Sequence, residues 1–108
     1  MSEFLTCSLS LLKYEDALSG IEDSEVDKTE LASRVSSLST LLASQREQSI
    51  QSIEVFKILP VLVASSLRIL CRFINPKDGS SNALKCVVSC MDLQKQLLSL
   101  LVDKGTSS

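Results

Sequence analysis

The most apolar part of the chain is the stretch 50–74, IQSIEVFKILPVLVASSLRILCRFI. Drawn as a helix, it collects its charged side chains on a stripe roughly 100° wide, which we expect to face water. The stripe contains Glu54, Lys57, Val61, Ala64, Ser65, Arg68 and Arg72. The remaining circumference, about 260°, is apolar. One neighbouring helix cannot cover an apolar surface of this width. We therefore predict a helix at the centre of a helical bundle.

Pro60 lies in the middle of this stretch. Proline has no backbone N–H, and its ring crowds the carbonyl group one turn earlier, so it bends a helix or begins one. We predict a helix over about 45–74 that is kinked at Pro60. A helix that starts at Pro60, and a kink that acts as a functional hinge, are the alternatives.

The same stretch does not predict a membrane span. Only ten uncharged residues separate Lys57 from Arg68, whereas a helix needs about 20 apolar residues to cross a bilayer. Near the N-terminus, Glu3 precedes the first apolar residues, and Glu15 and Asp16 occupy the place of a signal-peptide cleavage site. These features predict an intracellular protein, in the cytoplasm or nucleus, with reduced cysteines.

Three further helices follow from the spacing of apolar residues. The first, 3–19, places Phe4, Cys7, Leu11, Tyr14 and Leu18 on one face. The second, 28–43, repeats Leu31, Val35, Leu38 and Leu42 at spacings of four, three and four, like a short coiled-coil seam. The last, 81–102, follows the turn signals Asn-Pro and Asp-Gly at 75–79. Asp27 and Glu30 have the spacing of a capping box at the start of the second helix.

Composition agrees with a helical fold. The chain is 44% hydrophobic and 22% charged, with three glycines and two prolines, which favours helices over a turn-rich sheet protein. We predict one all-α domain over 1–108, a small bundle of about four antiparallel helices with a frayed tail at 103–108. If 44–51 continues a helix, there are three helices, one of them long and kinked. An α-solenoid-like fragment, part of a longer helical array, is the alternative.

Most of the common catalytic templates cannot be built from this chain. It has no histidine, and its three glycines are isolated, so common acid–base, nucleophile and phosphate-loop patterns are absent. Cys86 and Cys90 lie one helical turn apart and could join Cys7 and Cys71 in a zinc site. Their spacing matches no compact ligand pair, so core packing is preferred, with disulfide or redox pairing and metal binding as alternatives. We predict a non-enzyme without cofactor or metal.

Charge is distributed unevenly along the chain. Residues 1–30 carry a net charge of −6 and residues 31–108 a net charge of +4. We favour attraction between these two parts of the molecule over steering of a charged partner. Nucleic-acid binding through Arg34, Arg46, Lys57, Arg68 and Arg72 is a specific alternative. It is disfavoured by the pI of about 5.0 and by the lack of aromatic residues among these bases.

The predicted function is a non-catalytic protein–protein interaction module, a scaffold or adaptor, or a subunit of a larger assembly. Binding would use apolar helix faces, with another protein or a second copy as partner. The candidate interaction residues are Leu31, Val35, Leu38 and Leu42, with Lys57, Arg68 and Arg72. Ser24, set among acidic residues, is a candidate phosphorylation site. A carrier of a hydrophobic ligand in the bundle core is the alternative.

Overall fold

Four α-helices and one short 3₁₀ helix form the part of the chain that the structure describes. A computed structural model describes residues 3–44, 53–74 and 81–106, with side chains as far as Val102. The α-helices are α1 (Glu3–Ala17), α2 (Lys28–Ser44), α3 (Ile53–Phe73) and α4 (Ser81–Thr106), and the 3₁₀ helix is Asp23–Glu25. The prediction of a small all-α helical bundle is confirmed.

Several helix ends differ from the predicted ones. The first helix ends at Ala17 rather than at residue 19 because the next two amides bond only three residues back. The N–H groups of Leu18 and Ser19 donate to the carbonyl groups of Glu15 and Asp16 at 3.1 and 3.2 Å, which tightens the last turn. The last helix continues to Thr106, so residues 103–106, predicted to fray, are helical. The predicted helix start at 45, and the helix-or-loop question over 44–51, fall on residues outside those described, apart from Ser44.

A local signal predicted from the sequence places the start of α2, whereas Pro60 does not place the start of α3. Asp27 caps α2, because its Oδ1 accepts the N–H of Glu30 at 3.0 Å. The Glu30 carboxylate accepts from Arg34 Nε at 2.9 Å, so one arm of the predicted capping box is formed. Pro60 lies inside α3, which is helical on both sides of it, so a helix start at Pro60 is wrong.

Each helix has its main contacts with two others. α1 packs on α2 and α3, and α4 packs on the same two helices. The helices thus form a ring in the order α1, α2, α4, α3, in which no helix is central. The prediction that the apolar stretch 50–74 forms a central helix is therefore wrong for its described part, α3. It buries one face against two neighbours and leaves other apolar residues exposed.

Contacts along the helices show their directions. The start of α2 meets the start of α4, where Cys86 Sγ donates to the Lys28 carbonyl at 3.1 Å. Farther along both helices, Gln96 Nε2 donates to Ser39 Oγ at 2.6 Å, so α2 and α4 are parallel. Likewise Glu15 meets Arg68, and Leu18 meets Arg72 farther along both segments, so α1 and α3 run in the same direction.

The helices therefore form two antiparallel hairpins that lie side by side. α1 and α2 form the first hairpin, in which Arg34 contacts Ser10 and stacks on Tyr14. α3 and α4 form the second. The first helices of the two hairpins, α1 and α3, stack on each other, and so do the second helices, α2 and α4. This is the arrangement of successive hairpin units in an α-solenoid. The bundle prediction expected all neighbouring helices to be antiparallel. The pairs α1–α3 and α2–α4 are instead parallel.

One hydrophobic core joins both hairpins. Its largest fully buried side chains are Phe4, Leu11, Leu31, Val35, Leu38, Leu42, Leu59, Leu62, Phe73, Leu93, Leu97 and Leu100. These residues come from all four α-helices, so neither hairpin buries its own apolar face without the other. Within the described part of the chain, no helix has both the length and the apolarity needed to cross a membrane.

Candidate interaction surface

The seam on α2, predicted to bind a partner, is part of the core. Leu31, Val35, Leu38 and Leu42 are each at most 1% exposed. Their neighbours are the helices of the same chain, since α2 packs on α1 and α4. These side chains cannot reach a partner in the folded domain, so this seam is corrected from an interaction site to an internal contact.

Two of the predicted basic interaction residues bind the acidic N-terminal part of the same chain. Arg68 Nη2 donates to Glu15 Oε1 at 2.6 Å, and Ser65 Oγ donates to the same oxygen at 2.9 Å. Arg72 Nη1 donates to the Leu18 carbonyl at 2.8 Å, and other guanidinium N–H groups bond the Ile21 carbonyl and Asp23. The charge asymmetry of the sequence is thus used within the molecule, to hold the connector between α1 and α2 against α3.

The remaining predicted residues are scattered. Lys57 is exposed on α3, and Arg34 binds Glu30 and Ser10 on the first hairpin. Ser24 is exposed in the 3₁₀ helix, next to the Asp23 that pairs with Arg72. Arg46 lies outside the described residues. Among the described residues, the other four bases of the nucleic-acid hypothesis, Arg34, Lys57, Arg68 and Arg72, do not form one surface.

The environment of Glu15 shifts the pKa of its carboxyl group. Burial raises the pKa of Glu15. Hydrogen bonds from Arg68 and Ser65 and the charges of Arg68 and Arg72 lower the pKa by a larger amount. The net result is a pKa below the ordinary value of 4.5. An acid with a lowered pKa in the folded state stabilises the fold above its unfolded-state pKa, and loses this effect as pH falls through the folded-state pKa.

The variant Glu15→Gln should therefore flatten the acid side of the stability profile. We expect the wild-type melting temperature to fall more steeply than that of the variant between about pH 5 and pH 3. The measurement is thermal unfolding by circular dichroism from neutral to acid pH, with Asp16→Asn as control because Asp16 is exposed. Parallel curves for the wild type and Glu15→Gln would contradict this prediction.

The cysteines occupy different environments. Cys86 and Cys90 are fully buried on α4, whereas Cys7 is half-buried and Cys71 is exposed. Burial raises the pKa of Cys90 to about 12, with a further contribution from Cys86, so this thiol stays protonated. Among the described residues, no group of three or more histidine, cysteine or acidic side chains is arranged to hold a metal ion.

The surface of the second hairpin carries most of the exposed apolar residues of the described chain. We call the following set the α3–α4 apolar face: Ile53, Phe56, Leu67 and Ile74 in or directly after α3, and Leu84, Val88, Met91, Leu98 and Val102 in α4. Each of these residues is 39–68% exposed. Half-buried Val63 and Leu70 fill gaps in the α3 row, and Lys95 occupies the one gap in the α4 row.

Both rows of this face lie on the same side of the hairpin. At 100° per residue, each row is centred about 140° around its helix from the residues that contact the first hairpin. Those contacts are Ser65, Arg68 and Arg72 on α3. On α4 they are Cys86, Asp92 and Gln96. Because the first hairpin covers one side of the second, the two apolar rows lie together on the opposite side. Leu84 and Val88 extend this face to the edge of α4 that borders α2.

The first hairpin has a different surface. The exposed residues of α2 between its ends are mainly hydroxylated: Thr29, Ser33, Ser36, Ser37, Thr40 and Ser44. The exposed residues of α1 include Lys13 and Asp16, with Leu9 as its only exposed large hydrophobic residue among those described. One hairpin thus presents a polar surface and the other an apolar one.

A groove of about 580 Å³ separates the hairpins on the outer side of α2 and α4. Ala32, Leu84 and Val88 form its apolar part, and serines and Thr29 line much of the remainder. It lies at the surface, whereas the carrier hypothesis places a ligand in the bundle core.

Comparison with known proteins does not assign this surface to a family. No family model, curated protein or solved structure matches the chain.

The sequence contains a signal for the apolar face, but the sequence-based prediction did not distinguish the exposed apolar row of α4 from the buried one. Apolar residues of α4 follow two rows, the buried Ala83, Cys90, Leu93, Leu97 and Leu100 and the exposed row that includes Leu84 and Met91. An apolar arc wide enough for two rows indicates a second contact beyond the core.

Proposed function

We propose that this protein is a non-catalytic interaction module that binds another polypeptide through the α3–α4 apolar face. The observation that carries the proposal is the extent of that face. Its nine residues leave on the order of 1,000 Å² accessible, close to the roughly 800 Å² that each partner contributes to a standard interface. Monomeric proteins seldom expose a continuous apolar patch larger than about 600 Å².

The type of contact follows from the spacing of the exposed residues. Leu84, Val88 and Met91, and after Lys95 also Leu98 and Val102, repeat every three or four residues along α4. This spacing suits a helix that packs lengthwise on α4. The α3 row extends from Ile53 to Ile74, so the partner meets two helices at once. The proposal is thus helix-on-helix packing, as the sequence predicted, at a different surface.

The charged residues support an apolar rather than a nucleic-acid partner. Arg68 and Arg72 are engaged with Glu15, Asp23 and backbone carbonyls, and Arg34 with Glu30. Binding phosphates with these guanidinium groups would require breaking contacts that hold the fold together.

Photo-crosslinking in cells of the source organism tests the proposal. A photoreactive amino acid at Met91 should give a discrete covalent adduct with a polypeptide, identified by mass spectrometry. The same amino acid at Ser37, exposed on α2 and outside the groove that Leu84 and Val88 line, should give none. Adding Leu98→Glu to the Met91 variant should abolish the adduct, because a carboxylate would then be buried without a partner. Equal labelling at Met91 and Ser37, or no labelling at Met91, would overturn the proposal.

A further inference from the structure

We infer that the polypeptide bound at the α3–α4 apolar face is a second copy of this chain, in a two-fold symmetric dimer. This inference rests on the proposed function and identifies its partner. In such a dimer the same face of each copy is used, so that two α3–α4 hairpins pack against one another and form a second four-helix core. Each copy keeps its first hairpin on the outside.

The area of the face is sufficient for a dimer. Two copies could together bury at most about 2,000 Å², the upper end of the standard range for stable complexes. The exposed side chains are large, Phe56, Leu98 and Met91 among them, and phenylalanine and methionine are common anchors at interfaces.

The distribution of charge permits self-association at this face. A surface that packs on its own copy must not bring several like charges together. In the described residues, Lys95 is the one charged side chain that interrupts the two apolar rows. Its long aliphatic stem can lie along the interface while the ammonium group reaches water at the edge.

The polarity of the first hairpin selects the symmetric arrangement over a head-to-tail one. In a head-to-tail stack, the apolar face of one copy would meet the outer side of the next copy's first hairpin. That side is lined by hydroxyl groups such as Ser33, Ser37 and Thr40, whose desolvation without partners is costly. Packing apolar face on apolar face avoids this cost and closes the assembly at two copies.

The same geometry suits an antiparallel contact. α3 and α4 run in opposite directions within one hairpin. A two-fold axis parallel to the helices places α3 of one copy against α4 of the other copy. These two helices then run antiparallel. This arrangement also keeps the two Lys95 side chains apart, because each then faces α3 of the other copy rather than its α4.

Light scattering of the purified full chain over a concentration series, under reducing conditions, tests the inference. The wild type should approach twice the chain mass as concentration rises. Val88→Glu and Leu98→Glu should each raise the dimer dissociation constant by more than about 100-fold, because a carboxylate would be buried in the interface. Ser37→Glu, a carboxylate on the polar side of the molecule and outside the groove that Leu84 and Val88 line, should leave the dissociation constant unchanged. Circular dichroism checks that all variants fold.

Two results would overturn the inference. The first is a wild type that is monomeric at every concentration, and the second is an oligomer that Val88→Glu and Leu98→Glu do not affect. A monomer whose Met91 still forms a crosslink to a different polypeptide would refute the dimer while leaving the proposed function intact. Loss of the crosslink as well would refute both.

Discussion

Replacing Leu38 by alanine should lower the free energy of unfolding by about 2–5 kcal/mol, the range for a leucine truncated inside a core. Leu38 is 0% exposed and lies in the middle of α2, where it contributes to the core that joins both hairpins. Removing its side chain takes away apolar contacts and leaves a cavity that the neighbouring helices fill only in part. For a domain of this size the loss is a large fraction of the total stability.

Urea unfolding followed by circular dichroism measures this effect, with Leu9→Ala as the matched control. Leu9 is the same residue type, but it is 53% exposed and lies on α1, outside the α3–α4 apolar face, so its truncation should cost less than about 1 kcal/mol. Comparing the two variants also shows whether the apolar row of α2 packs inside the chain or is free to bind a partner. A Leu38→Ala variant that kept its stability would contradict the prediction and return the α2 seam to consideration as an interaction site.

The comparison of these two leucines shows what the sequence could predict. Spacing of apolar residues correctly identified the helices and the apolar row of Leu31, Val35, Leu38 and Leu42. Spacing alone does not say whether such a row packs inside the chain or on a partner, because the two contacts have the same pattern. The order of helices in the ring decides it, and that order depends on contacts far apart in sequence.

The prediction for α3 missed its orientation for a related reason. Its polar stripe was expected to face water, yet Ser65 in that stripe is fully buried against Glu15 of α1. Ion pairs with Arg68 and Arg72 hold the acidic N-terminal part on this stripe. Since α1 covers the polar side, apolar residues on the far side, such as Phe56 and Leu67, remain exposed. Only the net attraction between the two parts of the chain could be anticipated.

Arg72 should be the most important of the charged residues for stability. Its guanidinium group donates to the carbonyls of Leu18 and Ile21, pairs with Asp23 and lies over the ring of Phe73 at 5.6 Å. The side chain is 22% exposed, compared with 58% for Arg68. Arg72→Met should therefore cost about 2–3 kcal/mol, because hydrogen bonds from a charged donor are lost and carbonyl groups lose their partner.

Arg68→Met is the control on the same helix, one turn earlier. Its ion pair with Glu15 should contribute less, about 1 kcal/mol, because the Arg68 side chain is 58% exposed and Ser65 keeps its hydrogen bond to the Glu15 carboxylate. Arg72→Lys should recover only part of the loss, since an ammonium group cannot reach several acceptors in the planar arrangement of a guanidinium. Urea unfolding gives the three values, and hydrogen exchange should show faster exchange at residues 18–26 in Arg72→Met before global unfolding. Equal costs at the two arginines, with unchanged exchange in the connector, would show that Arg72 does not hold it, and that the core alone keeps α1 on α3.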